Sequence, residues 1–235
     1  MSVSEDIEDD VDSILSQTWD IRDGEVVPET SDVALAGGGV KLTATMLYSD
    51  LADSTELAMN FDKRTAARVF KCFMTATSRI VRAQGGEIRS FDGDRVMAVF
   101  IGDSKNTSAA KAALKINHAV LKIIKPKLEA KYTSLSDGGW TIRHCTGIDT
   151  GEMLIVRGGI RNNNDLIWVG RAPNVAAKLS GVRAAPYYSY ITPQVYNKLS
   201  DEAKKTDGKD MWQKTTWNEV AGIDTVYRSS WTWKP

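Results

Sequence analysis

The chain has 235 residues, with thirty Lys and Arg against thirty Asp and Glu, so its formal net charge at pH 7 is zero. Hydrophobic residues make up 42% of it, enough for the core of one elaborated domain, and the neutral balance speaks against a surface built for polymeric nucleic acid. No run reaches the ~20 apolar residues that span a bilayer, and two distant cysteines, Cys72 and Cys145, do not make a disulfide or metal framework.

Residues 1 to 38 differ from the rest. The start "MSVSEDIEDDVDS" is the opposite of a basic secretory n-region, so a cytoplasmic, soluble protein is expected. Val11, Ile14, Leu15 and Trp19 form a short amphipathic stretch, and "GGG" at Gly37–Gly39 reads as a hinge or the entry to a strand. The segment is expected to be an acidic N-terminal arm, partly helical, that docks on the domain or on a partner; residues 39 to 235 form the main domain.

From Val40 the periodicities sharpen. "VKLTATMLYSD" is a largely buried strand. From Ser54 to about Gln84 the apolar spacing is helical, with Val69, Phe70, Phe73, Ile80 and Val81 on one stripe and Gly85-Gly86 as its end. Cys72 is expected in the core of that helix. "EIRSF" and "RVMAVFI" flank "DGD", a hairpin signal, because Asp-Gly supplies the positive φ of a tight turn. A second helix over residues 105 to 132 is expected to bury Ala113, Ile116, Val120 and Ile123, with Pro126 kinking or shortening it. "WTIRHCTGID" is the next strand and holds Cys145. Strand, helix, hairpin, helix, strand is the β-α-β-β-α-β ferredoxin-like plan of an α+β domain. Beyond it come a long hairpin with its tip near Asn162–Asn164, a helix from about Arg171, a strand and helix in "PYYSYITPQVYNKLS", and two closing strands.

That plan gives the acids a meaning. Asp50 ends the first strand and Asp94 sits at the hairpin turn, so both can face one rim of the sheet. Two carboxylates held together repel unless protonated or neutralised, and hard divalent ions with oxygen ligands do that. After Asp50, "LADST" turns into a helix whose first N–H groups can seat a phosphate. Singly, Asp53, Ser54 or Thr55 is an ordinary N-cap and Asp92-Gly93 an ordinary turn. Their combination in this topology favours metal and phosphate.

"MLYSDLADSTELA", "GGEIRSFDGDRVMAVF", "TGIDTGEMLIV" and "VGRAPNVAAKLSG" together resemble the class III nucleotidyl cyclase catalytic domain, over roughly residues 40 to 230. The resemblance implies that Asp50 and Asp94 hold two Mg²⁺ or Mn²⁺ ions per active site. It also implies that the backbone of Leu51, Ala52, Asp53, Ser54 and Thr55 cradles the triphosphate and that Asn174 orients the ribose. Lys178 falls where most members carry an arginine that stabilises charge on the α-phosphate; lysine keeps the charge and loses the planar fork. In this family the metal half and the Asn/Lys half of a site come from different subunits, which implies a homodimer with two sites at its interface.

The base-reading positions depart from both purine codes: Ser90 and Ile167 stand where adenylyl and guanylyl cyclases carry their characteristic pairs. Tyr48, bulky with a polar tip, could narrow the base pocket. In this the chain is similar to the pyrimidine cyclases of Pycsar antiphage systems, whose cyclic UMP or cyclic CMP is read by a separate cyclic-nucleotide effector. Ser90 can satisfy either pyrimidine; Arg89 or Arg95, if one reaches the pocket, favours uracil, so UTP is preferred over CTP as the expected substrate. A cytidylate cyclase, an adenylyl cyclase with relaxed base recognition, and a catalytically silent nucleotide-binding module remain as alternatives. The "GGDEF"-type turn of diguanylate cyclases is absent from this hairpin. His118 is expected to be solvated, His144 packed, and Trp212, Trp217, Trp231 and Trp233 to pack on strands.

Overall fold

The computed structural model describes residues 2–235. The first half of the chain forms helix α1 (Val3–Leu15), strands β1 (Asp20–Asp23) and β2 (Gly38–Leu51), and helices α2 (Ser54–Asn60) and α3 (Lys63–Ala83). Strands β3 (Glu87–Asp92) and β4 (Arg95–Phe100) follow, then helices α4 (Lys105–His118), α5 (Lys125–Lys131) and α6 (Thr133–Asp137). Strands β5 (His144–Ile160) and β6 (Asn163–Val169), helix α7 (Arg171–Ser180), strand β7 (Ser189–Ile191) and the short helices α8 (Pro193–Tyr196) and α9 (Asp201–Lys204) come next. Strands β8 (Lys205–Thr206), β9 (Lys209–Asp210), β10 (Gln213–Val220) and β11 (Ile223–Ser229) close the chain.

The chain divides into two compact units. The larger holds residues 44–151 and 172–235, the smaller the residues up to Thr43 with Glu152–Arg171. In the larger unit the sheet order is β10-β11-β7-β5-β2-β4-β3, and its β5-β2-β4-β3 portion is the ferredoxin-like order. One face is covered by α3 and α4, where Leu47, Ala98 and Phe100 meet Val69, Phe73, Ala109 and Ala113. On the other, α7 packs Val175 and Leu179 against Cys145, Tyr190 and Val226. Gly147 permits that close approach: a Cβ there would lie 2.3 Å from the Ala176 carbonyl oxygen and 2.5 Å from the Ser180 nitrogen.

Three expectations for this unit change. The single helix over residues 54 to 84 is two, because Asp62 starts a new one, its carboxylate accepting from the Thr65 N–H at 3.0 Å. Cys72 is exposed, since the buried stripe of α3 runs through Val69, Phe73, Thr77 and Ile80 and position 72 falls outside it. Ile123 is exposed while Ile124 is buried. Residues Ala119–Ile124 form a π-helical turn just before Pro126; the wider turn shifts the phase of the helix and rotates Ile123 outwards.

In the smaller unit β1, which the periodicity did not predict, pairs in parallel with the start of β2, from Asp20 opposite Gly38 to Asp23 opposite Lys41. Residues 1 to 38 thus contain a strand as well as the expected helix. The outer half of β5 and β6 form the long hairpin, from Leu154 opposite Val169 to Ile160 opposite Asn163. Asn162 at its tip takes φ 70°. Trp212 and Trp217 are buried, and Trp231 and Trp233 pack against the core of the larger unit. No described helix is long and apolar enough to cross a membrane.

Candidate active site

Alternation along β2 sends Leu47 to the face under α3 and α4, so Tyr48 and Asp50 project from the opposite face. The register then builds two rows. Tyr48 stands opposite Met97, which stands opposite Ser90; Asp50 stands opposite Arg95, which stands opposite Asp92. Cross-strand partners point to the same side, so Tyr48 and Ser90 share the face that carries Asp50, one row away. A register shift between Ile88 and Ser90 puts Ser90 there, and its hydroxyl lies 3.5 Å from Met97 Sδ. Tyr48 is half-buried; loss of solvent raises its phenol pKa, with the Arg95 charge acting the other way.

Asp50 is 6% exposed, and both its oxygens are held by cations. Arg183 Nη2 donates to Oδ2 at 2.6 Å and Arg95 Nε to Oδ1 at 3.4 Å. Asp94, half-buried, precedes Arg95 at the turn, which brings its backbone within about 7 Å of that of Asp50. Both oxygens of Asp50 are thus taken up by guanidinium groups, which a divalent ion at this rim would have to displace. Among the described residues no group of three or more His, Cys, Asp or Glu could hold a metal. Two carboxylates leave most of the coordination of a hard cation to other oxygens, such as those of a phosphate chain.

Leu51 closes β2, and Ala52 and Asp53 make the turn. The Ala52 N–H donates to the Arg143 carbonyl at 2.9 Å, so it is already spent. Asp53 is not the side-chain cap that the sequence suggested. It adopts φ 57°, its carboxylate accepts from Arg143 Nη2 at 2.6 Å, and its carbonyl accepts from the Leu57 N–H at 3.0 Å and from Trp140 Nε1 at 3.3 Å. Ser54 and Thr55 open α2, where first-turn N–H groups have no intrahelical acceptor. Ala52, Asp53, Arg143, His144 and Arg183 line a cavity of about 120 Å³. His144 is buried, stacks on Tyr188 with ring centroids 5.5 Å apart, and burial drives its pKa to about 3, so it is neutral near pH 7.

Asn174 and Lys178 lie one turn apart on the exposed side of α7. Lys178 Nζ donates to the Glu219 carbonyl at 3.4 Å. Ile167 belongs to the smaller unit. It stands on β6 opposite Val156, half exposed, and fills the space above Gly158.

Comparison with known proteins adds the family. A uridylate cyclase of Rhodovulum sp. (strain MB263) is 44% identical over 237 residues, covering 100% of this chain and 99% of that protein. This chain belongs to the uridylate cyclase family. A second uridylate cyclase, from Burkholderia cepacia, is 42% identical over 99% of both chains. No protein-family model matches the chain. Among solved structures, the guanylyl cyclase Cya2 superposes with a TM-score of 0.66 at 17% identity, covering 84% of this chain and 96% of that one. The adenylyl cyclase CyaB from P. aeruginosa gives 0.61 at 22% identity, covering 81% and 95%. The fold of this cyclase is that of class III catalytic domains.

Sequence reasoning did not find Arg183 and Arg143, the two cations that hold Asp50 and Asp53. Arg143 stands in the quoted strand "WTIRHCTGID" without a role, and Arg183 lies outside every quoted stretch. Arg183 reaches Asp50 because the chain leaving α7 passes the end of β2, a contact between segments 133 positions apart. Arg95 was singled out, but for the base pocket; in the structure its guanidinium sits on Asp50.

Proposed function

We propose that this cyclase converts UTP to 3′,5′-cyclic UMP and pyrophosphate, using two Mg²⁺ or Mn²⁺ ions held by Asp50 and Asp94. The observation that carries the reading is the strand register: Tyr48 and Ser90 lie in one row on either side of Met97, next to the row of Asp50, so a base-contacting pair and a phosphate-end carboxylate share one surface. Full-length relatives named uridylate cyclase support UTP as the base choice.

In the reaction the ribose 3′-oxygen forms a bond to the α-phosphorus, the bond from that phosphorus to the β-bridging oxygen breaks, and the hydroxyl proton passes to solvent. Divalent ions held by Asp50 and Asp94 would neutralise phosphate charge and make the 3′-hydroxyl easier to deprotonate. The protein's own groups align and polarise. Tyr48 limits the depth of the base end, and Ser90 offers a hydroxyl that both donates and accepts. The N–H groups of Ser54 and Thr55 face the polyphosphate, with Arg183 and Arg143 supplying charge beside them. Asn174 holds the ribose and Lys178 the charge growing on the α-phosphate.

Those last two groups come from a second copy. Asn174 and Lys178 stand on the exposed side of α7, whereas Asp50 is engaged by Arg183 of its own chain. Ile160, Ile167 and Val169 leave an apolar surface on the β5–β6 hairpin suited to a homodimer contact. The product is read by a separate cyclic-nucleotide effector, a role in antiphage defence that rests on the resemblance to Pycsar cyclases. Purified protein given each of the four ribonucleoside triphosphates with Mn²⁺ or Mg²⁺ is expected to yield cyclic UMP fastest, as read by product mass. Faster turnover of CTP, ATP or GTP would overturn the assignment of the base.

A further inference from the structure

The least explained surface of the larger unit is an open groove of about 700 Å³ between α3 and the helical run through the π turn and α5. Its floor is apolar, with Ile123, Leu128 and Tyr132, and its rim is cationic: Arg68, Lys71, Arg79, Lys127 and Lys131 line it without a single acid. The wall from α3 extends from Arg68 to Arg79, about 17 Å at the rise of an α-helix. The π turn makes this floor, because it exposes Ile123 where an uninterrupted helix would bury it.

Helix α1 has the opposite character. Glu5, Asp6, Glu8, Asp9, Asp10 and Asp12 are its charged residues, with no basic one among them. Val3, Ile7, Val11, Ile14 and Leu15 recur at helical spacing along one stripe, and all are exposed, Val3 at 75% and Leu15 at 79%. No residue of α1 is buried, although Ser2 closes a complete capping box at its start. A capped amphipathic helix with a bare apolar stripe is shaped for a groove. The stripe is about 18 Å long, which matches the α3 wall.

We propose that α1 of one copy docks into the α3–α5 groove of a second copy. Apolar stripe meets apolar floor, and the acids along the flanks of α1 meet the cationic rim. The surfaces match in length, in hydrophobic character and in charge sign. An acidic amphipathic helix and a cationic apolar groove carried by the same chain are complementary between two copies, so a second copy is the occupant proposed. The contact lies outside the candidate active site and links copies of the enzyme through its arm.

Native Cys72 on the groove wall is exposed and serves as a probe. The other thiol, Cys145, is buried and its pKa is pushed up to about 12, so it does not compete. A size-tagged full-length chain carrying Val11→Cys and Cys72→Ser is mixed with the native chain and treated with a short bismaleimide. A covalent adduct of tagged and untagged chains is expected, at least tenfold reduced by Lys71→Glu with Lys127→Glu in the native partner. Asp6→Lys with Asp10→Lys in the tagged chain should restore it. No mixed adduct, or one indifferent to these charge reversals, overturns the proposal. So does a Val11→Cys chain retaining Cys72 that links only within itself. None of these readouts depends on nucleotide turnover, so failure here is distinct from failure of the UTP assignment.

Discussion

The carboxylate of Asp50 pairs with two arginines in this structure and is proposed to hold an ion, and a paired substitution separates the two roles. Its side chain is 9% exposed and takes charge-assisted contacts from Arg183 at 2.6 Å and Arg95 at 3.4 Å. Asp50→Asn keeps the shape and removes the charge. A hydrogen bond to a charged group contributes about 1.5–3 kcal/mol, but the arginines are 37% and 32% exposed and can return to water. The loss of stability is therefore set at about 1–3 kcal/mol. For a chain of this size that is a fall in Tm of roughly 2–12 °C. Asp94 is half-buried at a turn with no hydrogen bond or ion pair among the described residues, so Asp94→Asn should change stability by no more than ~0.5 kcal/mol. Both substitutions should abolish pyrophosphate release, since the proposed ion site needs both carboxylates. Calorimetric melts of the two proteins beside a turnover assay decide the matter. Equal Tm losses would refute the distinction between the two acids, and retained turnover in either would refute the ion site.

Mixing Asp50→Ala with Lys178→Ala, each inactive alone, should recover about a quarter of native turnover if each site takes one half from each copy of a two-fold dimer; no recovery would place both halves in one chain. Acid should unfold the protein through His144. Its folded pKa is about 3 against the usual 6.5 of a histidine, so its share of the stability is complete above pH 6.5 and is lost as pH falls towards 3, at up to ~1.4 kcal/mol per pH unit. Denaturant titrations at pH 7, 5.5 and 4.5 should show this slope, and His144→Phe should flatten it. Gly147→Ala would place a methyl 2.3 Å from the Ala176 carbonyl oxygen. It should cost at least ~1–3 kcal/mol and displace α7 with Asn174 and Lys178, lowering both the Tm and turnover.

Much of the molecule is legible in the sequence because its signals are local. The hairpin turn between β3 and β4 follows from Asp92-Gly93, with Gly93 at φ 60°, and the end of α3 from Gly85-Gly86; the start of α7 is legible near Arg171. Once strand, helix, hairpin, helix, strand is read, Asp50 and Asp94 must fall at one rim, because the strand pair that brings them together is part of the plan. That Tyr48 and Ser90 share one row follows only when the register shift after Ile88 is known.

What the tertiary structure alone decided depends on contacts between distant segments. Arg183 on Asp50 and Arg143 on Asp53 join side chains 133 and 90 positions apart, and no spacing rule encodes them. Exposure of Cys72 and Ile123 turned on helical phase: the stripe of α3 passes beside one, and the π turn before Pro126 rotates the other. A local pattern fixes which face a residue belongs to when the helix is regular. Where the helix changes its turn, or a loop crosses to another strand, only the packed chain shows which groups meet.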